Sequence, residues 1–407
     1  MKKSNRKGFT IVELVIVIAV IAILAAVLIP TFSNLIKKAN MSADQQAVRQ
    51  MNTLLAAEEA TGKPETFANA INALLASDVS AKNYKALTTG MSFYWVREIN
   101  RVVYVDSTMK VVYPKEYEEL TYKMEDGWFS LSGEVATDDK WEEKISNNTL
   151  TVADGSTLVA FMNAVVANDT ASTAVTTISI TQDIDLKGAE ANFGKVVDGN
   201  FTITGVVGEN GKVPAIYNLR NGASTTVSSS NINKIPTTYG YGLFGIIQGN
   251  STVTIENVEF VGVAINATPA TGAEATSGAG VIAGVLYHGS TLTLNNVTIR
   301  DSYVNVAKKA GAVVGYVESG STFKANGLTI NNVQAAAGKQ SAAVLGYVQT
   351  GFYNYGATTL NVSNLTVTNV TVTKDASYGI TDGDVYETNS HYWYVPYGGT
   401  IEGKNFN

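Results

Sequence analysis

The chain predicts an α+β module, made of one long N-terminal α-helix and an antiparallel sheet, followed by an all-β parallel β-solenoid. Three observations carry this. Sixteen consecutive apolar residues, 14–29, run into a helical stripe that lasts to about residue 59. Aromatic and β-branched runs of strand type follow between residues 92 and 131. Beyond residue 150 the composition turns to Thr, Val, Ile, Asn and Gly with few charges, and a period of 31–39 residues emerges.

Length and composition set the outer bounds. At 407 residues, two or three globular units are expected, and 45% apolar residues supply their cores. Losing Lys2, Lys3, Arg6 and Lys7 with an N-terminal leader removes four positive charges and takes the net from −6 to −10. Such an acidic chain argues against nucleic acid as a partner. There is no cysteine, so burial and hydrogen bonding must hold the fold without disulfides. With His288 and His391 the only histidines, no His/Cys metal site and no cofactor are expected.

The N-terminus carries the sharpest signal. Basic residues end at Gly8-Phe9-Thr10, and the apolar run beyond them holds one carboxylate, Glu13, and closes at Pro30. An acid in a membrane helix costs about 2.5–3.5 kcal/mol on insertion scales. A cation in the same apolar layer offsets that cost, and the freed α-amino group of a neighbouring copy cut after Gly8 would be one. A secretory signal would have a shorter apolar region and an A-x-A-like cleavage site. A plain anchor fits the length, since residues 9–29 span about 30 Å at ~1.5 Å per residue. It leaves Glu13 and the Gly8-Phe9 junction unexplained. The basic leader should stay cytoplasmic, with everything after Pro30 outside.

The segment GFTIVELVIVIAVIAILAAVLIP resembles the N-terminus of type IV pilins, over about the first 35 residues. The resemblance implies that residues 1–8 are a leader and that a prepilin peptidase cuts after Gly8 and methylates Phe9. It implies that Glu13 pairs with the amino group of the adjacent subunit and sets register. Pro30 falls where pilin stems commonly bend. Other pilin subunits, in a homo- or hetero-filament, are the implied partners. The implied location is a single-pass cytoplasmic membrane helix before assembly and a pilus at the cell surface afterwards.

Past the membrane or filament-core segment, 9–30, the apolar positions Phe32, Leu35, Ala39, Ala43, Ala47, Met51 and Leu54 form a stripe. Asn40, Asp44, Gln45, Arg49 and Gln50 fill the other face, and Thr61-Gly62-Lys63-Pro64 stops the helix. Its length from residue 9 to 59 is about 75 Å. The rest of a head, 31–133, reads as a short helix at 65–76 and strands at 92–97, 102–105, 109–113 and 128–131. Asp106-Ser107-Thr108 is the turn of a hairpin. Trp95 and Tyr104 read as packing against the long helix rather than as ligand platforms. Many pilins close this region with a disulfide loop, which this chain lacks.

Residues 134–150 are charge-dense and read as a linker. Ser156 then opens a short helix, with Leu158, Phe161, Met162 and Val165 on one face. Gly245, Gly284 and Gly315 each stand twelve positions before Asn257, Asn296 and Gly327, which read as bends. From Gly346 to Asn364 the step is eighteen, so FYNYGA carries about six inserted residues. Units of this length bury their apolar face only by stacking. Residues 151–375 therefore predict a parallel β-solenoid, with a stacked β-sandwich as the alternative that the same periodicity allows. The region resembles β-helix domains of bacterial surface and adhesin-like proteins, including those with GLUG-type repeats. Open solenoid ends invite edge pairing. The 156–167 helix is placed at one end and an aromatic-rich cap, 376–407, at the other. Tyr392, Trp393 and Tyr394 in that cap also suit stacking on sugar rings.

Polysaccharide cleavage would need acids converging on one groove. Glu256, Glu259, Glu274, Asp301 and Glu318 show no such pairing, and Glu256 and Glu259 alternate to opposite strand faces. Asp382-Gly383-Asp384 lacks the further oxygen ligands of a calcium site. The expectation is a non-catalytic, surface-exposed minor or tip subunit that displays the solenoid for adhesion or recognition, of a glycan or other surface ligand. The rivals are a membrane-tethered β-helix polysaccharide lyase or hydrolase, and a pseudopilin of a secretion or DNA-uptake system.

Overall fold

The computed structural model describes residues 11–63, 65–75, 85–125, 127–133, 135–197, 199–221, 225–227, 238–267, 276–338, 340–349 and 358–374. The apolar run becomes helix α1, Ile11–Glu59, which continues through Pro30. Its first half stands clear of the rest of the chain, with Ile11 82% and Phe32 58% exposed.

The face of α1 that meets the head keeps Ala47, Met51 and Leu54 of the predicted stripe and departs from the rest. Val48, Met51 and Leu55 are buried, whereas Phe32, Leu35 and Ala43 are exposed. Asp44, expected on the solvent side, is 2% exposed. Its carboxylate accepts from the Leu87 N–H (2.8 Å), the Thr88 N–H (3.0 Å) and the Tyr104 hydroxyl (2.7 Å). Three donors replace the water it gives up, which is the condition for burying a carboxylate. Polarity alone does not reveal such partners. Asn52 extends the contact by bonding both backbone groups of Val102.

Helix α2, Phe67–Leu75, is capped by the Thr66 hydroxyl, which accepts from the Asn69 N–H at 3.2 Å. Four strands follow: β1 Ser92–Val96, β2 Arg101–Val105, β3 Val111–Tyr113 and β4 Trp128–Ser132. They pair antiparallel in the order β3-β2-β1-β4. Strand alternation gives the sheet two faces. Phe93, Trp95, Val102, Tyr104, Phe129 and Leu131 bury against α1 and α2, while Tyr94, Val96, Val103, Val105 and Trp128 form a second cluster. Trp95 lies 5.5 Å from the Phe129 ring and 6.2 Å from Phe67, and neither Trp95 nor Tyr104 reaches solvent.

The remainder is largely β, with parallel sheets. One parallel series runs Thr149–Val152, Thr177–Ile180, Asn200–Gly205, Thr252–Val261, Thr291–Val306, Thr322–Ala337 and Thr359–Ser363. A second joins Thr238–Tyr241, Thr276–Ala279, Lys309–Gly311 and Gln340–Ala342. A third joins Lys195–Val197, Phe244–Gln248, Ala283–Leu286 and Val314–Val317. Registers repeat without slip, so Thr252, Thr291, Thr322 and Thr359 stand side by side, as do Val253, Leu292, Phe323 and Leu360. The second row is buried, each side chain contributing about 1.5–3 kcal/mol.

The bends fall at the residues the spacing picks out. Asn257, Asn296, Gly327 and Asn364 have φ of 56°, 52°, 71° and 52°. Asparagine tolerates this left-handed backbone better than most side chains. Asn296 also donates to Asn257 Oδ1 at 2.9 Å, and Asn364 to Asn326 Oδ1 at 2.8 Å, so bend amides bond from strand to strand. Gly240 meets the carbonyl of Gly245 where two sheets touch, and a Cβ there would collide with backbone.

The charged stretch read as a linker contributes to packing. Trp141 is buried 5.3 Å from the ring of Phe161. Lys144 pairs with Asp138 (2.8 Å) and Asp154 (3.2 Å), so its charges are spent locally. Asp154, rather than Ser156, caps helix α3, Gly155–Val166, by accepting from the Thr157 N–H at 2.8 Å. Leu158, Phe161 and Met162 of α3 are buried in the same cluster as Leu150 and Ile178 of the first parallel strands.

A histidine links two successive strands of the third sheet. His288 Nε2 lies 2.9 Å from Glu318 Oε2, and Nδ1 lies 3.2 Å from the Ser319 carbonyl. Burial works against protonation of His288, but the Glu318 carboxylate and the Ser319 carbonyl outweigh it and raise its pKa. A raised pKa contributes stability that is whole below the unfolded value near 6.5 and is lost as pH rises through the folded value. Thermal unfolding followed by circular dichroism should show His288→Gln most destabilised relative to the unaltered chain near pH ~5.5, the gap narrowing by pH ~8.5. A gap that does not change with pH would refute the charged tie.

Candidate functional site: the stem and the head junction

Of the residues singled out from sequence, Gly8, Phe9, Tyr392, Trp393 and Tyr394 lie outside the described residues. Glu13 and Pro30 are in α1. Glu13 sits in its first turn among Ile11, Val12, Leu14 and Val15, all exposed. The helix dipole favours a carboxylate there by about 0.3–1 kcal/mol, while the surrounding collar is hydrocarbon. Among the described residues, α1 is the one helix long and apolar enough to cross a membrane. Where it leaves the head, an open groove of about 840 Å³ is lined by Leu28, Ile29, Phe32, Ile36 and Leu87, with Lys37 and Asn40 at its polar side. The stem thus offers a continuous apolar surface for lipid or for other helices.

The second feature is the junction between the head and the β-rich region. One corner of the parallel strands is a row of left-handed residues: Asn218, Gly262, Asp301, Asn332 and Asn369. Strand β4 sits against it. Ser130 receives a bond from Arg220 at its carbonyl, donates its N–H to Asn218 Oδ1 (3.1 Å) and its hydroxyl to the Lys187 carbonyl (2.7 Å). Arg220 is buried, donates also to the Gly262 and Leu219 carbonyls, and stacks 5.0 Å over the Phe67 ring. Burial pulls its pKa down to about 9, with nearby Asp185 acting in the opposite sense.

Asp185 completes the network. It accepts from the Tyr122 hydroxyl (2.5 Å), the Tyr94 hydroxyl (3.4 Å) and Asn218 Nδ2 (2.9 Å). Burial and the charge of Asp185 push both tyrosine pKa values up, so the phenols stay protonated donors. Farther along, Arg97 pairs with buried Asp301 at 2.6 Å and lies 5.1 Å over Phe129. Asn72 of α2 donates to Gln334 at 2.5 Å, and Lys212 bridges Glu125 and Asp183.

None of these junction residues stood out as a site. Arg220 is a lone charge in an otherwise uncharged stretch, and that isolation was the available signal, whereas Asp185 stands between Asp183 and Lys187 and offered none. Which partners would neutralise them was hidden, because their hydrogen bonds reach up to 90 and 91 residues along the chain.

Gly262 marks a close approach between the corner and the head. Its φ is +64°, and a Cβ would lie 2.5 Å from Phe129 Cδ1. Gly262→Val should lower stability by about 1–3 kcal/mol through backbone strain alone, and more through the ring it displaces. Chemical denaturation compared with Gly249→Val, which shares a positive φ of 66° in another turn, separates the two effects. Equal losses would refute the ring contact.

Comparison with known proteins bears on the N-terminal part. Residues 3–29 match the family model described as the prokaryotic N-terminal methylation motif. Over 53 residues the chain is 45% identical to the type IV major fimbrial protein FimA of Dichelobacter nodosus, which covers 13% of this chain and 34% of that protein. Over 36 residues it is 67% identical to the type IV wide pilus major component PilA4 of Thermus thermophilus, 9% of this chain and 28% of that protein. The chain therefore spans about a third of the length of the curated relatives it matches. No solved structure matches it. The chain is thus similar to type IV pilus components, and the methylation-motif match spans the exposed apolar part of α1 that holds Glu13.

Proposed function

We propose that the chain is a specialised filament subunit, minor or at the tip, in which a pilin stem and head carry a parallel β-solenoid outward for adhesion or recognition at the cell surface. The observation that carries this is the combination of an exposed apolar stem with a head joined to stacked parallel strands by a buried network. The three parallel series take one strand in turn from each passage of the chain, for example Thr238–Tyr241, Phe244–Gln248 and Thr252–Val261, and that alternation supports a three-sided coil. A body of this bulk on every subunit would crowd a filament, which favours sparse placement. Glycans are the ligand class we favour, with Tyr392, Trp393 and Tyr394 as stacking residues.

In this reading a prepilin peptidase cuts after Gly8 and Phe9 is methylated. Glu13 then meets the new amino group of a neighbouring subunit, and α1 leaves the membrane for the filament core. The reading is non-catalytic. It is supported by four carboxylates of the described parallel-strand region, each tied to a structural partner: Glu256 to Thr204, Glu259 to Arg300, Asp301 to Arg97 and Arg300, and Glu318 to His288.

Two outcomes test the assembly claim. Gly8→Leu should leave a full-length, membrane-held precursor on immunoblots, and normal cleavage would refute the processing site. Glu13→Val should be cleaved normally yet drop out of sheared filaments by about tenfold or more, the effect of losing roughly 1.4 kcal/mol or more of buried pairing. Undiminished incorporation would contradict the pairing role.

A further inference from the structure

The groove where α1 leaves the head is graded along the helix. Toward the N-terminus its wall is apolar, built from Leu28, Ile29, Phe32 and Ile36, all exposed. Toward the head it turns polar, with Lys37 and Asn40. Leu87 faces it from the head and is 60% exposed. The backbone of Leu87 is fixed on both sides: its N–H donates to Asp44 at 2.8 Å, and its carbonyl accepts from Asn40 Nδ2 at 3.3 Å. An apolar side chain pinned in this way beside an open apolar helix face marks a surface that something else covers.

Depth in the bilayer narrows what that is. Counted from residue 9 at ~1.5 Å per residue, about 30 Å of hydrocarbon ends near residue 29. Headgroups add roughly 5–8 Å on that side. Helical side chains lean toward the N-terminus, so the Lys37 ammonium sits about one turn nearer the bilayer than its backbone does. That brings it to headgroup level and leaves Phe32 and Ile36 between it and the hydrocarbon.

We propose that before assembly this groove holds an anionic phospholipid. Its phosphate meets Lys37, its glycerol backbone lies under Leu87, and the start of an acyl chain follows Ile36 and Phe32. The proposal rests on the reading of α1 as a membrane stem. The rival occupant, the stem of a second copy, does not match in charge. Between residues 10 and 43 its only acid is Glu13, which that reading commits to a neighbour's amino group, so it brings Lys37 no anion. A phosphate does, and an anionic leaflet attracts lysines placed at its surface.

The adjacent lysine supplies the control, because Lys38 does not line the groove. The full chain is inserted into membranes of phosphatidylethanolamine and phosphatidylglycerol and extracted in mild detergent, and the lipid that co-purifies is counted by mass spectrometry. About one phosphatidylglycerol should stay with each chain, enriched over phosphatidylethanolamine. Lys37→Gln should cut that retention about fivefold, the worth of one lysine at an anionic surface, and Leu87→Ser should lower it as well. Lys38→Gln makes the same change of charge and should leave it unaltered. Equal losses at the two lysines would reduce the effect to general surface charge and overturn the site. Lipid retained in bulk proportion, no retained lipid, or no loss with Leu87→Ser would overturn it too. A chain recovered without detergent would instead refute the membrane stem itself, so the two failures are told apart.

Discussion

The buried guanidinium of Arg220 sets a condition that the rest of the molecule has to meet. Taking a cation out of water costs several kcal/mol unless neighbouring groups replace the solvent. Here the carbonyls of Ser130, Gly262 and Leu219 take up Nη1 and Nη2 and the ring of Phe67 lies beneath the guanidinium, while the buried Nε has no hydrogen-bond partner among the described residues. Two of these groups, Ser130 and Phe67, belong to the head; the other two belong to the parallel strands. Neither half alone surrounds the charge. The same division holds at Asp185, whose phenolic donors come from the head and whose amide donor comes from Asn218. Separating the halves would strip both charges, which lie in the β-rich region, of the partners the head supplies, and that joins head and β-rich region into one folded body.

Glycine and asparagine at the corners make the close approach workable. Asparagine keeps the left-handed bend and bonds to its neighbour in the stack, as Asn332 does to Asp301 at 3.2 Å. At Gly262 the same bend has no side chain, and Phe129 occupies the space left free. Gly262 thus admits the Phe129 ring, while Asn218 and Asp301 of the same row reach the head through Ser130 and Arg97.

Much of this was legible in the sequence. The long helix, its end near Glu59 and the four head strands follow from period and from turn residues such as Asp106, whose carboxylate accepts from the Thr108 and Lys110 N–H groups. The bends at Asn257, Asn296 and Asn364 were marked by spacing alone. What sequence could not give was partner identity across long distances. Asp44 looked like a surface acid because its three donors arrive from residues 43 to 60 positions away. The 134–150 stretch looked like a tether because charge density does not distinguish ion pairs closed on themselves from charges facing water. For the same reason Arg220, whose hydrogen-bond partners lie up to 90 positions away, passed unnoticed.

The contacts of the head with successive strands have a mechanical corollary. A load applied at Thr371–Lys374 crosses a single ladder to Thr322–Ala337, which is tied to the head where Asn72 bonds Gln334. The next strand inward carries its own tie, Asp301 to Arg97. Force therefore enters the head at several points in parallel, and the seat around Arg220 does not bear it alone.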